Sequence, residues 1–429
     1  MKLYLWKNLL SVLLITVSIS ACKKDKPQNN VVEPPPYKPD TTATFTGLPV
    51  FNIRTVGPVT SKEDYVSGSL SINTNSLYEQ ETTQIALQIK GRGNSTWFLH
   101  PKKPYRLKFK EKAKVLGLPA AKNWVLLANY SDKTLMRTGL AFELGKQMQA
   151  DFTPDVRYVE VFMNGEYLGN YTLTQQVEVN ENRVNIKELK PENTAEAEIT
   201  GGYLVELDER KDEENLFTTD RGLPMTVKEP EDITEAQFNY IKNYIQLTEN
   251  VLFSPDFADP QKGYAKYINV DSFINWFLIE ELFKNQDSQK YSSMFYYKDR
   301  GGKLGMGPIW DFDLSIGNVD YSDATYPTGW WVKDGLWFKR LFEDPAFRKK
   351  VKKRWDEIKV KEVPAMFTYI DSTAKYLQKS QEQNFSIWPI LNMKVWPNPV
   401  VLGTYPAEVN HIKEWLTTRI DWLDANIEL

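Results

Sequence analysis

The chain has 429 residues, of which 41% are hydrophobic and 25% are charged, a composition typical of a globular protein large enough for two lobes. Its formal net charge is −3, so no basic field indicates binding to nucleic acid or to an anionic membrane surface. It contains two histidines and one cysteine, which argues against a Ser-His-Asp triad, a multi-histidine zinc site and a Cys-His dyad. Any chemistry must therefore depend on carboxylates, lysines, arginines and backbone amides.

The N-terminal segment has the order of features found in an export signal. Basic Lys2 and Lys7 precede an apolar run from Leu9 to Ile19, which is short for a bilayer span. The tetrapeptide "ISAC" then ends at Cys22 and resembles a bacterial lipobox. We predict a signal peptide over residues 1–22 with Cys22 as the lipidation site. The protein would then be lipid-anchored to a membrane in the cell envelope, periplasmic or surface-exposed; an ordinary signal with a chance cysteine is the alternative.

Residues 23–47 are rich in Pro, Lys, Asn and Thr and lack periodicity, which predicts an extended tether. The globular domain is expected over residues 48–429. Its first part, about 48–210, has mostly strand-like alternation, with a hairpin turn predicted at Asn164-Gly165. Its later part, about 230–429, has apolar residues at helical intervals. The sequence therefore predicts an α+β fold with a strand-rich and a helix-rich lobe that meet at a cleft.

Two aspartates follow a helix and a hairpin in the second part. A helix ending near Lys284 leads into a loop with Asp287, and two strands joined at residues 299–302 lead to "WDFD", which contains Asp311 and Asp313. If the strands pair, Asp287 and Asp311 return to the same end of the hairpin. Protein kinases use this order, with a first aspartate at the acceptor hydroxyl and a second on the magnesium ion. The structural alternative is that both aspartates only cap turns.

The first part contains residues suited to phosphate. "GRGNSTW", residues 91–97, is a turn with glycines and hydroxyls after a strand, and "PKKPYRLKFK" follows with several cations. A loop of small residues offers backbone amides to anions, and a neighbouring strand can direct lysine or arginine at phosphate. The loop lacks the GxxxxGK[ST] pattern, so a Walker-type NTPase is not indicated.

These segments occur in an order that resembles the CotH (spore coat protein H) kinase family. The likeness extends from about Leu48 to the C-terminal "IKEWLTTRIDWLDANI", through "LQIKGRGNSTW", "NWVLLANYSDKTLMR", "NGEYLGNYTLTQQVE", "GGYLVELDE" and "GPIWDFDLSIGN". It implies an atypical protein-kinase-like two-lobed fold that uses ATP and Mg²⁺ (or Mn²⁺) to phosphorylate Ser or Thr of a protein substrate.

The resemblance also implies roles for individual residues. Asp287 matches the catalytic aspartate and Asp311 the metal-binding one, while Asp313 either assists or hydrogen-bonds the turn. Asp132 and Arg137 match a further family motif, as an internal ion pair or as ligands. The residues implied in nucleotide binding are Arg92, Asn94, Lys103, Arg106, Lys108, Gln176 and Glu178, and only one of Lys103, Arg106 and Lys108 is expected to pair with phosphate.

One departure keeps other functions open. Many kinase-like loops have an asparagine five residues after the catalytic aspartate, where it binds a second metal ion; this chain has Ser292. A catalytically weak or inactive surface lipoprotein that binds protein or glycan is therefore an alternative. A hydrolase that uses Asp287 with Asp311 or Asp313 as its acid and base is another.

Overall fold

A computed structural model describes residues 46–289 and 291–427 of the chain. The predicted signal peptide, the predicted lipidation site Cys22 and the tether up to residue 45 lie outside these residues. In the described part, no helix is both long enough and apolar enough to cross a membrane.

The first strands form a closed seven-stranded barrel in the order β1-β2-β3-β4-β5-β7-β6. Parallel pairing of β1 with β6 closes the barrel, and all other neighbours are antiparallel. The strands are β1 (Val50–Thr55), β2 (Val66–Asn73), β3 (Gln84–Gly91), β4 (Tyr105–Val115), β5 (Leu118–Leu127), β6 (Val156–Met163) and β7 (Glu166–Gln175).

Buried and exposed side chains alternate along the barrel strands, and the buried ones fill the barrel interior, as in β4. Tyr105, Leu107 and Phe109 point inward and are buried, whereas Arg106 is half-buried and Lys108 is exposed. Successive side chains of a strand point to opposite faces, so one face joins the barrel core and the other carries charge. The expected β6–β7 hairpin is also confirmed, with Asn164 and Gly165 at φ angles of 53° and 89° that suit a tight hairpin turn.

A second, five-stranded antiparallel sheet has the order β12-β11-β8-β10-β9. Its strands are β8 (Tyr203–Leu207), β9 (Leu216–Thr218), β10 (Pro224–Glu229), β11 (Met294–Lys298) and β12 (Leu304–Met306). The β11–β12 hairpin confirms the pairing predicted around residues 299–302. The sheet joins strands before residue 230 to strands near residue 300, so the helix-rich part of the sequence also contributes strands.

The helices lie mostly in the second half of the chain, which confirms a mixed fold with a strand-rich first part. They are α1 (Ser95–Leu99), α2 (Arg137–Gln147), α3 (Glu235–Leu252), α4 (Val270–Phe283), α5 (Leu336–Leu341), α6 (Pro345–Tyr376), α7 (Gln378–Ile387) and α8 (Tyr405–Asn426). Helix α4 is buried over nearly its whole length, because it packs against other helices and against β12 of the second sheet.

The C-terminal end of α4 is fixed by buried charges. Glu281 and Arg419 of α8 form an ion pair of 2.5 Å, and both are buried. Lys284 ends the helix in a left-handed conformation, and its amino group donates to three backbone carbonyls of residues 323–328. Because the loop with Asp287 starts here, these contacts define where that loop leaves the helix.

Candidate active site

A cleft of about 760 Å³ is lined by one end of the barrel, by the second sheet and by the loops after α4 and β12. The strand ends of the barrel contribute cations, and the two loops contribute carboxylates. The structure brings together seven of the residues predicted to form the site: Arg92, Asn94, Arg106, Gln176, Asp287, Asp311 and Asp313.

Asp287 lies in a 3₁₀ turn, residues 286–289, directly after α4. The Ser292 hydroxyl donates to its carboxylate at 3.4 Å. Burial, followed by the negative charge of Asp311, raises the pKa of Asp287 to about 7. A carboxylate that titrates near neutral pH suits the exchange of a proton with a substrate hydroxyl.

The "WDFD" segment alternates between core and cleft. The rings of Trp310 and Phe312 pack against Phe142 of α2, with centroid distances of 5.8 and 6.4 Å. Asp311 lies between these two rings in the sequence and Asp313 follows them, and both aspartates line the cleft. Asp311 has a φ of +66°, in the left-handed region that aspartate tolerates better than most residues. Packing of the aromatic rings therefore fixes two carboxylates at the cleft wall.

The carboxylates are close enough to influence one another. The Ser293 hydroxyl donates to Asp311 at 3.5 Å, one residue from the Ser292 contact with Asp287. Burial, and then the charges of Asp311 and Asp287, raise the pKa of Asp313 well above its ordinary value. Crowded acids of this kind are costly unless a proton or a cation is shared among them.

A group of cations lies on the barrel side of the cleft. Lys90 of β3 pairs directly with Arg106 of β4, which places two positive side chains opposite each other. Arg92 follows two residues later and lies over the Trp310 ring at 5.7 Å. None of the three forms a salt bridge with a described residue, and the buried Nε of Arg106 has no hydrogen-bond partner among them. Opposed like charges destabilise a sheet, so this wall is suited to an anion.

Burial lowers the pKa of Lys90, and the adjacent Arg106 lowers it further. Burial also lowers the pKa of Arg92, but Asp311 acts in the opposite direction, since it favours the charged guanidinium. Arg92 thus lies within electrostatic range of the acidic loop and of the other cations. Its guanidinium therefore interacts with charges on both walls of the cleft.

The loop after β3 needs its glycines. A side chain on Gly91 would collide with the Trp97 ring, which would lie 2.4 Å from the added Cβ, and Gly93 has a φ of +77°. Residues 91–94 all line the cleft, so their backbone lies at its wall. Asn94 also lines the cleft, and its side-chain oxygen accepts a hydrogen bond from Lys62 at 2.8 Å.

Residues 89–423 match the family model described as CotH kinase protein. The chain belongs to the CotH kinase family. Among curated proteins, no match to the chain is found. The matched span begins in β3 and ends in α8, so it includes Arg92, Asp287 and Asp311.

Three residues predicted for nucleotide binding are not among those that line the cleft of this CotH-family chain. Lys103 donates to the Trp97 carbonyl at 2.5 Å, and Lys108 is exposed with its amino group 5.8 Å from the centre of the Tyr65 ring. Glu178 pairs with Arg183 at 2.5 Å. Of the three candidate phosphate-pairing cations, only Arg106 is placed at the cleft.

Asp132 and Arg137 of the family motif form an internal ion pair. They are buried, and their side chains lie 2.6 Å apart. Arg137 also donates through Nε to the Ser315 carbonyl at 3.0 Å. The pair therefore fastens the loop that contains Asp311 and Asp313 to the start of α2.

A charged network on the second sheet was not expected from the sequence. Glu206 of β8 is buried, accepts a hydrogen bond from the Ser293 amide at 3.0 Å and pairs with Lys228 of β10 at 3.3 Å. Arg210 lies 3.5 Å from Glu206 and 2.6 Å from Asp208. The available signal was the dense charge of "ELDERKDEE" after a predicted strand. These side chains compensate one another and position the backbone between Asp287 and β11.

Proposed function

We propose that this CotH-family chain is a metal-dependent phosphotransferase that moves the γ-phosphoryl group of ATP to a Ser or Thr hydroxyl of a protein. The observation that carries the proposal is the division of one cleft into a wall of cations without salt bridges to described residues and a wall of crowded carboxylates. Phosphoryl transfer is catalysed mainly by positioning and by compensation of phosphate charge. In this proposal the barrel and the helix-rich part are the two lobes of a kinase-like fold.

The acidic wall fits Mg²⁺ or Mn²⁺. Asp311 and Asp313 offer carboxylate oxygens, the ligands that such hard cations prefer, and the raised pKa of Asp313 indicates charge that a cation would compensate. These two residues would hold the ion, and Asp287 would remain free of it. When bound, the ion would neutralise part of the charge on the nucleotide phosphates.

Lys90, Arg92 and Arg106 would hold the phosphates from the barrel side. Arginine can donate two parallel hydrogen bonds to phosphate oxygens, and the Nε of Arg106 has no partner among the described residues. The backbone of the loop after Gly91 lies at the same place. Leu127, which ends β5, and Gln176, which follows β7, also line the cleft and would border the base.

Asp287 would accept the proton of the acceptor hydroxyl. As that proton moves to the carboxylate, the hydroxyl oxygen bonds to the γ-phosphorus, and the bond from that phosphorus to the β–γ bridging oxygen breaks, so ADP leaves. A pKa of about 7 makes Asp287 a base that is ionised at neutral to alkaline pH.

We further propose that the protein acts outside the cytoplasm, held to a membrane by a lipid on Cys22. The order of basic residues, apolar run and small residues before the cysteine supports this. In that location ATP is scarce, which favours the second candidate function: a weak or inactive surface protein that binds protein or glycan. Ser292 supports the same candidate. It occupies the position where many kinase-like loops have a metal-binding asparagine, and its hydroxyl donates to Asp287.

Two substitutions in the purified globular domain test the proposal. Asp311→Asn should abolish magnesium-dependent ATP binding measured by calorimetry, because a metal ligand loses its charge. Asp287→Asn should retain that binding and lose phosphate transfer. Asp232→Asn, at an exposed surface position, is the matched control and should match the wild type in both assays.

The outcomes separate the candidates. Equal ATP affinity of the wild type and Asp311→Asn would mean that "WDFD" only supports the fold. ATP binding without transfer to any acceptor would favour the inactive binding protein. An active Asp287→Asn would remove the catalytic role from this loop.

A further inference from the structure

Three exposed aromatic side chains border the cleft next to Asp287. The exposed fractions are 50% for Tyr291, 51% for Tyr321 and 42% for Trp396, and all three line the cleft. Tyr291 is close to Asp287 in the chain, and its amide donates to the Asp287 carbonyl at 2.9 Å. We name Tyr291, Tyr321 and Trp396 the aromatic platform.

Tyr321 and Trp396 form a stacked pair within this platform. Their ring centroids are 5.8 Å apart and their planes differ by 9°. The pair joins two distant segments, since Tyr321 follows the Asp311 loop and Trp396 lies between α7 and α8. Stacking covers part of each ring, yet about half of the pair remains open to solvent, which leaves planar apolar surface available for a ligand.

The segment with Trp396 is anchored on both sides. The buried Lys133 amino group donates to the Met393 carbonyl at 2.8 Å. Beyond the tryptophan, the buried Asn398 side chain donates to the Ser131 carbonyl at 2.7 Å and to Asn318 at 2.8 Å. These contacts hold the backbone on both sides of Trp396, and the stack with Tyr321 orients its ring, so binding loses little conformational entropy.

Two polar contacts lie beside the platform. Lys394 and Asp320 form an ion pair of 3.1 Å, and the Ser322 hydroxyl donates to Gln286. A sugar bound on aromatic rings needs polar partners with free hydrogen-bonding capacity for its hydroxyls. A planar side chain of a polypeptide can stack on the ring surface without further polar partners.

The charge around the platform limits the ligand further. Burial, and then the charges of Asp287 and Asp313, raise the pKa of Tyr321, so its hydroxyl lies in the negative field of both acids. An acidic side chain would be repelled here. An aromatic ring would stack on the platform, and an arginine guanidinium would gain both stacking and attraction to the aromatic faces.

We propose that the aromatic platform binds the acceptor polypeptide, by stacking on a planar side chain next to the Ser or Thr that is phosphorylated. This inference rests on the proposed function, in which Asp287 faces the acceptor and the cations of β3 and β4 face the phosphates. The platform then determines which hydroxyl is presented to Asp287. Its effect is on acceptor choice and leaves nucleotide binding unchanged.

A set of synthetic peptides tests this. Each contains one serine in an otherwise constant sequence, and its neighbours are changed together to Tyr, Arg, Lys, Ala or Glu. With saturating Mg-ATP, we expect kcat/KM to be about two- to tenfold higher for Tyr or Arg than for Ala, and lowest for Glu. The better of Tyr and Arg identifies the planar group. If neither Tyr nor Arg gives a higher rate than both Ala and Lys, stacking on a planar side chain is absent and the inference is overturned.

Substitutions then assign the preference to the platform. Trp396→Ala should remove it by raising the peptide KM, while the affinity for Mg-ATP stays at the wild-type value. Trp396→Phe keeps a ring and should keep most of the preference. Tyr326→Ala is the matched control, because Tyr326 is 59% exposed but is not among the residues that line the cleft.

The remaining outcomes distinguish the two proposals. A wild-type protein without affinity for Mg-ATP would overturn the proposed function and this inference together. A wild-type protein that phosphorylates peptides without any preference, or whose preference survives Trp396→Ala, would overturn this inference alone. If an oligosaccharide is phosphorylated and no peptide is, the acceptor is a carbohydrate and this inference is overturned.

Discussion

Removal of the charge on Asp287 should stabilise the metal-free protein. The ordinary pKa of the group is 3.8, and burial with the charge of Asp311 raises it to about 7 in the folded state. The folded protein therefore binds more protons than the unfolded chain between these values. The stability that the protonated group contributes is fully present below pH 4 and is lost as the pH rises through 7.

The size of the effect follows from the shift. Each pKa unit corresponds to about 1.4 kcal/mol, so the titration of Asp287 lowers the free energy of unfolding by about 2 kcal/mol at pH 5, where only the unfolded chain ionises, and by about 4 kcal/mol at pH 8. Asp287→Asn keeps the volume of the side chain and cannot ionise. We therefore expect its free energy of unfolding to exceed that of the wild type by a margin that grows over this pH range.

Denaturant unfolding at pH 5 and pH 8 in the presence of a chelator measures this margin. The Asp232→Asn protein should stay within about 0.5 kcal/mol of the wild type at both pH values, since Asp232 is exposed. A margin of the same size at both pH values would refute the reasoning, because the stabilisation would then not come from ionisation. A wild type more stable than Asp287→Asn at pH 8 would refute it as well.

Three further predictions concern the cations on the barrel side of the cleft, the core and the anchor. Arg106→Ala should weaken Mg-ATP binding about tenfold in calorimetry, whereas Lys108→Ala on the same strand should not; equal losses would contradict the placement of Arg106 alone at the cleft. Arg419→Ala should lower the free energy of unfolding by about 3–5 kcal/mol in urea, because Glu281 stays buried without its partner; a loss below 1 kcal/mol would disagree. Cys22→Ser should move the protein from the membrane to the soluble fraction, and unchanged fractionation would exclude the lipid anchor.

Periodicity in the sequence was enough for the local elements near the site. The alternation of β4 predicted its buried face because one side of a strand must enter the core. The β11–β12 hairpin followed from two short apolar runs around a glycine turn, and with it the return of the chain from Asp287 toward Asp311. The apolar residues on either side of Asp311 indicated the site, since a carboxylate among buried rings is costly unless it is paired, hydrogen-bonded or bound to a cation.

Contacts between distant segments were decided only by the tertiary structure. The parallel pairing of β1 with β6 that closes the barrel leaves no local pattern in either strand. The Tyr321–Trp396 stack likewise joins two segments with no shared signal. Neither the register of Lys90 against Arg106 nor the charges around Glu206 could be derived from spacing, because pairing across strands depends on which strands become neighbours.

The sequence by itself thus indicated which residue types are available for chemistry and, through the motif order, the CotH kinase family. Its cation-rich "KKPYRLKF" offered Lys103, Arg106 and Lys108 as equivalent candidates for the phosphates. The fold placed only Arg106 at the cleft, because Lys103 is engaged with the Trp97 carbonyl and Lys108 lies in solvent. Which side chain faces a shared cleft depends on strand register and on packing between distant segments, and a linear pattern does not encode those contacts locally.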